Sequence, residues 1–96
     1  MGALFDCTTF PVKNTNLEEE FYAAVKNAQY EHGHGGYSGT LAEANRFVVK
    51  GMLFDNRSEA IDWIYDHHEK YKPCIAVKYK ATDGSIYWVV GGWMPY

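Results

Sequence analysis

Between His32 and Thr40 the chain reads His-Gly-His-Gly-Gly-Tyr-Ser-Gly-Thr, with four glycines set among histidines and hydroxyls. Successive glycine amides can curl into a concavity that binds an anion, and the hydroxyls of Tyr37, Ser38 and Thr40 would add donors. The run fits neither phosphate-loop pattern of nucleotide-binding folds, because those glycines follow a strand and open a helix while these follow a helix. The plainer reading is a connector whose glycines serve turn geometry. Two histidine pairs, His32/His34 and His67/His68, could meet as metal ligands. Adjacent helical side chains point about 100° apart, so at most one of His67 and His68 would face such a centre, and a satisfied or solvent-facing histidine is the simpler expectation. Acid-base or nucleophilic pairs such as Ser38 with His34, or Glu43 with His32, exist in composition, but nothing in the spacing fixes their geometry. Gly36-Tyr37-Ser38-Gly39 is one residue short of a nucleophile elbow.

The charge balance narrows the partners. A net charge of −3 argues against general binding of long nucleic acid, which needs a cationic excess to displace counterions. Small anions remain open, since Lys70, Lys72, Lys78 and Lys80 fall close together and can make a local positive patch. Aromatic residues make up 17% of the chain, including eight tyrosines and three tryptophans, more ring surface than so small a core readily hides. Some rings should therefore meet a ligand or partner, with Trp88 in the core and Trp93 against a neighbouring subunit as the bland alternative. Cys7 and Cys74 stand alone and far apart, without the spacing of a zinc knuckle or a disulfide framework, which suits a reducing, cytoplasmic setting. No apolar run reaches the roughly 20 residues that span a bilayer, and no basic-then-apolar leader opens the chain, so no membrane partner is expected.

These groups must be held by a small frame. The length of 96 residues fits a single domain over 1–96. Residues 3 to 12 favour an extended strand at an edge of the sheet, and Pro11 would be awkward inside a helix. Asn16 with Glu19 makes a capping pair for a helix from Leu17 to about Glu31, whose apolar line is Leu17, Phe21, Val25 and Ala28. Thr40 to Val49 reads as a second extended element ending at Gly51. A second helix, capped by Asn56 or Ser58, is expected to run to about Tyr71 with Ile61, Ile64, Tyr65 and His68 on one face and Trp63 off it. Ile75 to Lys80, the Asp83-Gly84 turn and Ile86 to Val90 form a hairpin. The order β-α-β-α-β-β predicts an α+β fold with two helices packed on one face of a largely antiparallel four-stranded sheet.

One likeness adds to this reading. The segment His34-Gly35-Gly36-Tyr37-Ser38-Gly39-Thr40-Leu41-Ala42-Glu43, with Ala76-Val77-Lys78 and Trp88-Val89-Val90-Gly91-Gly92-Trp93, resembles small bacteriophage-encoded proteins. Within that group the chain is similar to the anti-CBASS sponge proteins, which capture cyclic nucleotide signals of bacterial immunity without cleaving them. The resemblance implies a non-enzymatic homo-oligomer in the host cytoplasm that sequesters a cyclic dinucleotide or related nucleotide and needs no cofactor. Residue chemistry, rather than the resemblance, supplies the expected ligand contacts. Amides around Gly35, Gly36 and Gly39 and the hydroxyls of Ser38 and Thr40 would meet phosphate, with charge from Arg46 or Lys78, and Tyr37 and Trp93 would stack on bases. The competing classes are a protein-interaction module working through its aromatic C-terminus and a metal-dependent phosphoesterase using the histidines.

Overall fold

The computed structural model describes residues 3–13, 15–32, 41, 46–69 and 72–95. They form strand β1 (Ala3–Pro11), helix α1 (Leu17–His32), strand β2 (Phe47–Phe54), helix α2 (Arg57–His67), strand β3 (Cys74–Lys80) and strand β4 (Ile86–Pro95). Both helices begin where their capping residues stand. The Asn16 side-chain oxygen accepts the Glu19 N–H at 3.1 Å, and that of Asn56 accepts the Glu59 N–H at 2.9 Å, each satisfying a donor that the first helical turn leaves without a partner. α2 stops at His67, short of the expected Tyr71. His68 turns extended at φ −83 and ψ 139 while its own N–H still bonds the Ile64 carbonyl.

The sheet has the order β1-β4-β3-β2. β4 pairs antiparallel with β1 and with β3, and β2 pairs parallel with β3, so the α+β class, the element order and the mostly antiparallel sheet are as expected. Two strands outrun their expected ends. β2 passes through Gly51 to Phe54 by means of an irregularity in which the stretch between Val49 and Leu53 faces the single Val77. β4 continues through Gly91-Gly92-Trp93 because β1 pairs it along its whole length, from Ala3 opposite Pro95 to Pro11 opposite Tyr87. A Cβ on Gly91 would lie 2.5 Å from the Cys7 Cβ and 2.6 Å from the Asp6 carbonyl, so only glycine lets the two strands come this close. In the β3–β4 hairpin the tight turn is as read from the sequence: Gly84 has a left-handed φ of 88, and Ser85 N–H bonds the Asp83 carboxylate.

The expectation that both helices share one face is corrected. Cys74 and Ala76 of β3 pack with Phe21 and Val25 of α1, whereas the alternate residues Ile75, Val77 and Tyr79 pack with Ala60 and Ile64 of α2. Successive strand side chains point to opposite faces, so the helices flank the sheet on its two sides. Topology gives the reason. β1, β2 and β3 run the same way, and crossovers between parallel strands are almost always right-handed. The β1–α1–β2 crossover spans the sheet from edge to edge and β2–α2–β3 returns in the opposite direction. Two right-handed crossovers of opposite direction lie on opposite faces.

β1 is an edge strand, as expected, and a protected one. Val12 N–H bonds the Ile86 carbonyl at 3.0 Å, so by antiparallel alternation Phe5, Cys7, Thr9 and Pro11 turn their backbone polar groups outward. Pro11 has no N–H to offer, and the Cys7 N–H is taken by the Asp6 carboxylate at 3.0 Å. The other Asp6 oxygen accepts the Leu41 N–H at 2.8 Å, tying the chain between α1 and β2 to the sheet.

Candidate groove between β2 and helix α2

α2 turns three lines of side chains toward the sheet. Its centre is Ala60 and Ile64, both fully buried. Four-residue spacing places Trp63 and His67 together on the flank toward β2, and Tyr65 on the flank toward β1. Tyr65 is thus 49% exposed rather than part of the buried line with Ile64 that the periodicity suggested, and Trp63 is half-buried against Phe54.

The Trp63 and His67 rings stack with centroids 4.1 Å apart and planes 13° from parallel. His67 Nδ1 lies 2.7 Å from the Trp63 carbonyl. A carbonyl can only accept, so Nδ1 carries the proton and donates, and Nε2 is left on the far side of the ring. The stack lines a groove of about 380 Å³ together with Val48 and Lys50 of β2 and with Glu69 and Lys72. Its charged lining residues are two lysines and one glutamate, and Ile75 of β3 also lines it. The β2 wall is accessible, with Val48 41% exposed. A flat ring pair beside two lysines suits a planar group that carries negative charge.

The expected contacts separate in space. Lys78 lies on the α1 side, its ammonium 4.9 Å from the centre of the Trp88 ring that pairs across from it. Trp93 lies on the α2 side, edge-on to Phe5 at 5.7 Å and 4.5 Å from the Tyr65 ring, with its indole N–H donated to the Tyr65 carbonyl. Lys78 and Trp93 of one chain therefore do not reach the same ligand. Arg46 is exposed just before β2, and its carbonyl accepts the Cys74 N–H at 2.9 Å. Gly35, Gly36, Tyr37, Ser38, Gly39 and Thr40, with His34 and Glu43, lie outside the described residues.

Nucleophilic chemistry finds little support in the thiols. Burial, with the Asp6 charge second, pushes the Cys74 thiol up to about 12, and burial pushes Cys7 up with Arg57 partly offsetting it. Both are protonated near neutral pH. Among the described residues no three histidine, cysteine, aspartate or glutamate side chains gather as metal ligands, and no helix is long and apolar enough to cross a membrane.

Lys50 is the candidate that the sequence reading passed over, while Trp63 and His67 entered it separately, as a ring off the helix stripe and as a possible metal ligand, without their pairing. Their signals were present: Trp63 and His67 stand four apart on a helix, and Lys50 alternates with Val48 on a strand. Compared with known protein families, curated proteins and solved structures, the chain matches none.

Proposed function

We propose that this protein binds a small nucleotide-class ligand in the groove between β2 and α2 and holds it without altering it. The observation that carries this reading is the Trp63–His67 stack flanked by Lys50 and Lys72. Its volume of about 380 Å³ falls within the range of small-molecule sites. Stacking contributes about 1–3 kcal/mol per base, and a charged hydrogen bond to phosphate about 1.5–3 kcal/mol. One such groove per chain is a modest site, so a two-fold pair of chains presenting it twice to a pseudo-symmetric ligand binds far more tightly. A cyclic dinucleotide is such a ligand, and it is also what the resemblance to phage sponge proteins implies. Sequestration is the reading favoured by groups in this groove that can stack on a base and pair with a phosphate. The second reading, a protein-interaction module, is favoured by the exposed Tyr65 that caps the Phe5 and Trp93 rings.

Thermal unfolding with adenosine and guanosine monophosphates, cyclic di-adenylate, cyclic di-guanylate and cyclic trinucleotides tests the proposal. At 100 times its dissociation constant a ligand adds about 2.7 kcal/mol, a rise of about 10 °C or more for a domain of this size. The expected result is that rise with at least one cyclic nucleotide, recovered intact on heating. Altered product would replace sequestration with phosphoester cleavage, and no shift across the panel would leave the interaction module.

A further inference from the structure

His68 is only 7% exposed, yet it sits where a helix has already ended. Its Nδ1 lies 2.9 Å from the Trp93 backbone nitrogen and its Nε2 3.1 Å from the Lys72 carbonyl. A backbone N–H can only donate and a carbonyl can only accept, so the ring is the Nε2–H tautomer with both nitrogens engaged. The strand ladder explains the first bond. β3 begins at Cys74 and its pairing with β4 reaches only Ile75 opposite Gly91, so the Trp93 N–H looks past the end of its neighbour. The imidazole takes the place of the missing strand residue. Gly92 leaves room for it, since a Cβ there would lie 2.5–2.7 Å from three atoms of the ring.

The second bond reaches the groove. Lys72 N–H donates to the Glu69 carbonyl at 3.2 Å, and the Lys72 carbonyl accepts from His68. Both backbone polar groups of Lys72 are therefore held, and Glu69 and Lys72 both line the groove. We propose that His68 is the positioning residue of the groove: it holds the backbone of Lys72 to the end of β4, so that the ammonium meets a ligand anion already aligned. This rests on the groove being the binding site described above.

Amide side chains separate the two bonds. In His68→Asn the amide oxygen stands as many bonds from Cβ as Nδ1 and can accept from Trp93, but no atom reaches Lys72. In His68→Gln the amide nitrogen reaches as far as Nε2 and can donate to Lys72, leaving Trp93 N–H without its acceptor. A residue that only stabilises the fold would give two variants alike in every respect except stability. The expected result is that amide exchange at Lys72 accelerates at least tenfold in His68→Asn and stays near wild type in His68→Gln. Titrated with cyclic di-adenylate or cyclic di-guanylate, whichever the wild type binds, His68→Asn weakens affinity about tenfold and His68→Gln no more than about threefold. Equal exchange at Lys72 in both variants overturns the positioning role without any ligand. Wild-type protein that binds neither dinucleotide, while the exchange difference holds, overturns the ligand reading and leaves the lock on Lys72 in place.

Discussion

On the α1 side of the sheet Asp6 and Cys74 turn their polar groups into the fold. Asp6 gives one carboxylate oxygen to Cys7 N–H and the other to Leu41 N–H, and the Cys74 thiol lies buried beside Phe21 and Val25. On the α2 side a comparable apolar centre of Ala60, Ile64, Val77 and Val89 is bordered by rings and charges that stay at the surface: His67 on Trp63, Lys50 on β2 and Lys72 beyond the helix. Two faces of one small sheet thus differ in where their polar atoms point. Under the proposed function the first face serves cohesion and the second binds, which would place the sensitivity of stability on one side and the sensitivity of binding on the other.

The largest effect should come from Asp6. Two hydrogen bonds to one carboxylate contribute about 1.5–3 kcal/mol each, reduced here by partial exposure, so Asp6→Ala should cost about 3 kcal/mol in urea unfolding. Asp6→Asn keeps one acceptor and should restore about half of that. A loss below about 1 kcal/mol in Asp6→Ala would mean that the α1 side is held by apolar packing alone, and the contrast between the faces would weaken accordingly.

Cys74 sharpens the same contrast through pH. Its thiol is raised from 9.0 to about 12, so the folded state resists forming the thiolate that the unfolded chain forms readily. The stability contributed by this protonated thiol is fully present below pH 9 and is lost as pH rises through the window from 9 to about 12. By pH 10.5 the loss attributable to Cys74 is about 2 kcal/mol. Unfolding measured at pH 7 and pH 10.5 should therefore fall by about 2 kcal/mol more in the wild type than in Cys74→Ala. Equal falls would show that the α1 face admits water to the thiol.

What could be read beforehand was local. Asn16, Asn56 and the Asp83-Gly84 turn act within three residues of themselves, so their hydrogen bonds follow from sequence alone. The side of the sheet taken by each helix did not follow, because it depends on β2 lying parallel to β3 at the far edge, a long-range pairing without a local signal. Another fact was legible and missed. Once the hairpin pairs Lys78 with Trp88, alternation already puts Trp93 on the opposite face from Lys78. The groove itself joins Lys50 to a helix flank that only the parallel crossover brings alongside, so its residue types were visible and their meeting was not.

The smallest effect on stability, and the most telling for function, should be at Lys50. Its strand position is exposed, the neighbouring stretch of β2 is irregular, and a Cβ on the adjacent Gly51 would meet nothing within 4 Å, so the surroundings are open. Replacing an exposed lysine changes stability by about 0.5 kcal/mol or less. Lys50 nevertheless lines the same groove as Trp63 and His67, where under the proposed function a charged hydrogen bond to phosphate would contribute about 1.5–3 kcal/mol. Lys50→Ala should therefore unfold like wild type and bind a cyclic dinucleotide at least about tenfold more weakly, with the difference shrinking as salt screens the charge. Lys78→Ala, on the other face, is the matched control and should leave affinity unchanged. If Lys78→Ala weakens binding and Lys50→Ala does not, the ligand sits on the α1 side, and the division between a cohesive face and a binding face is reversed.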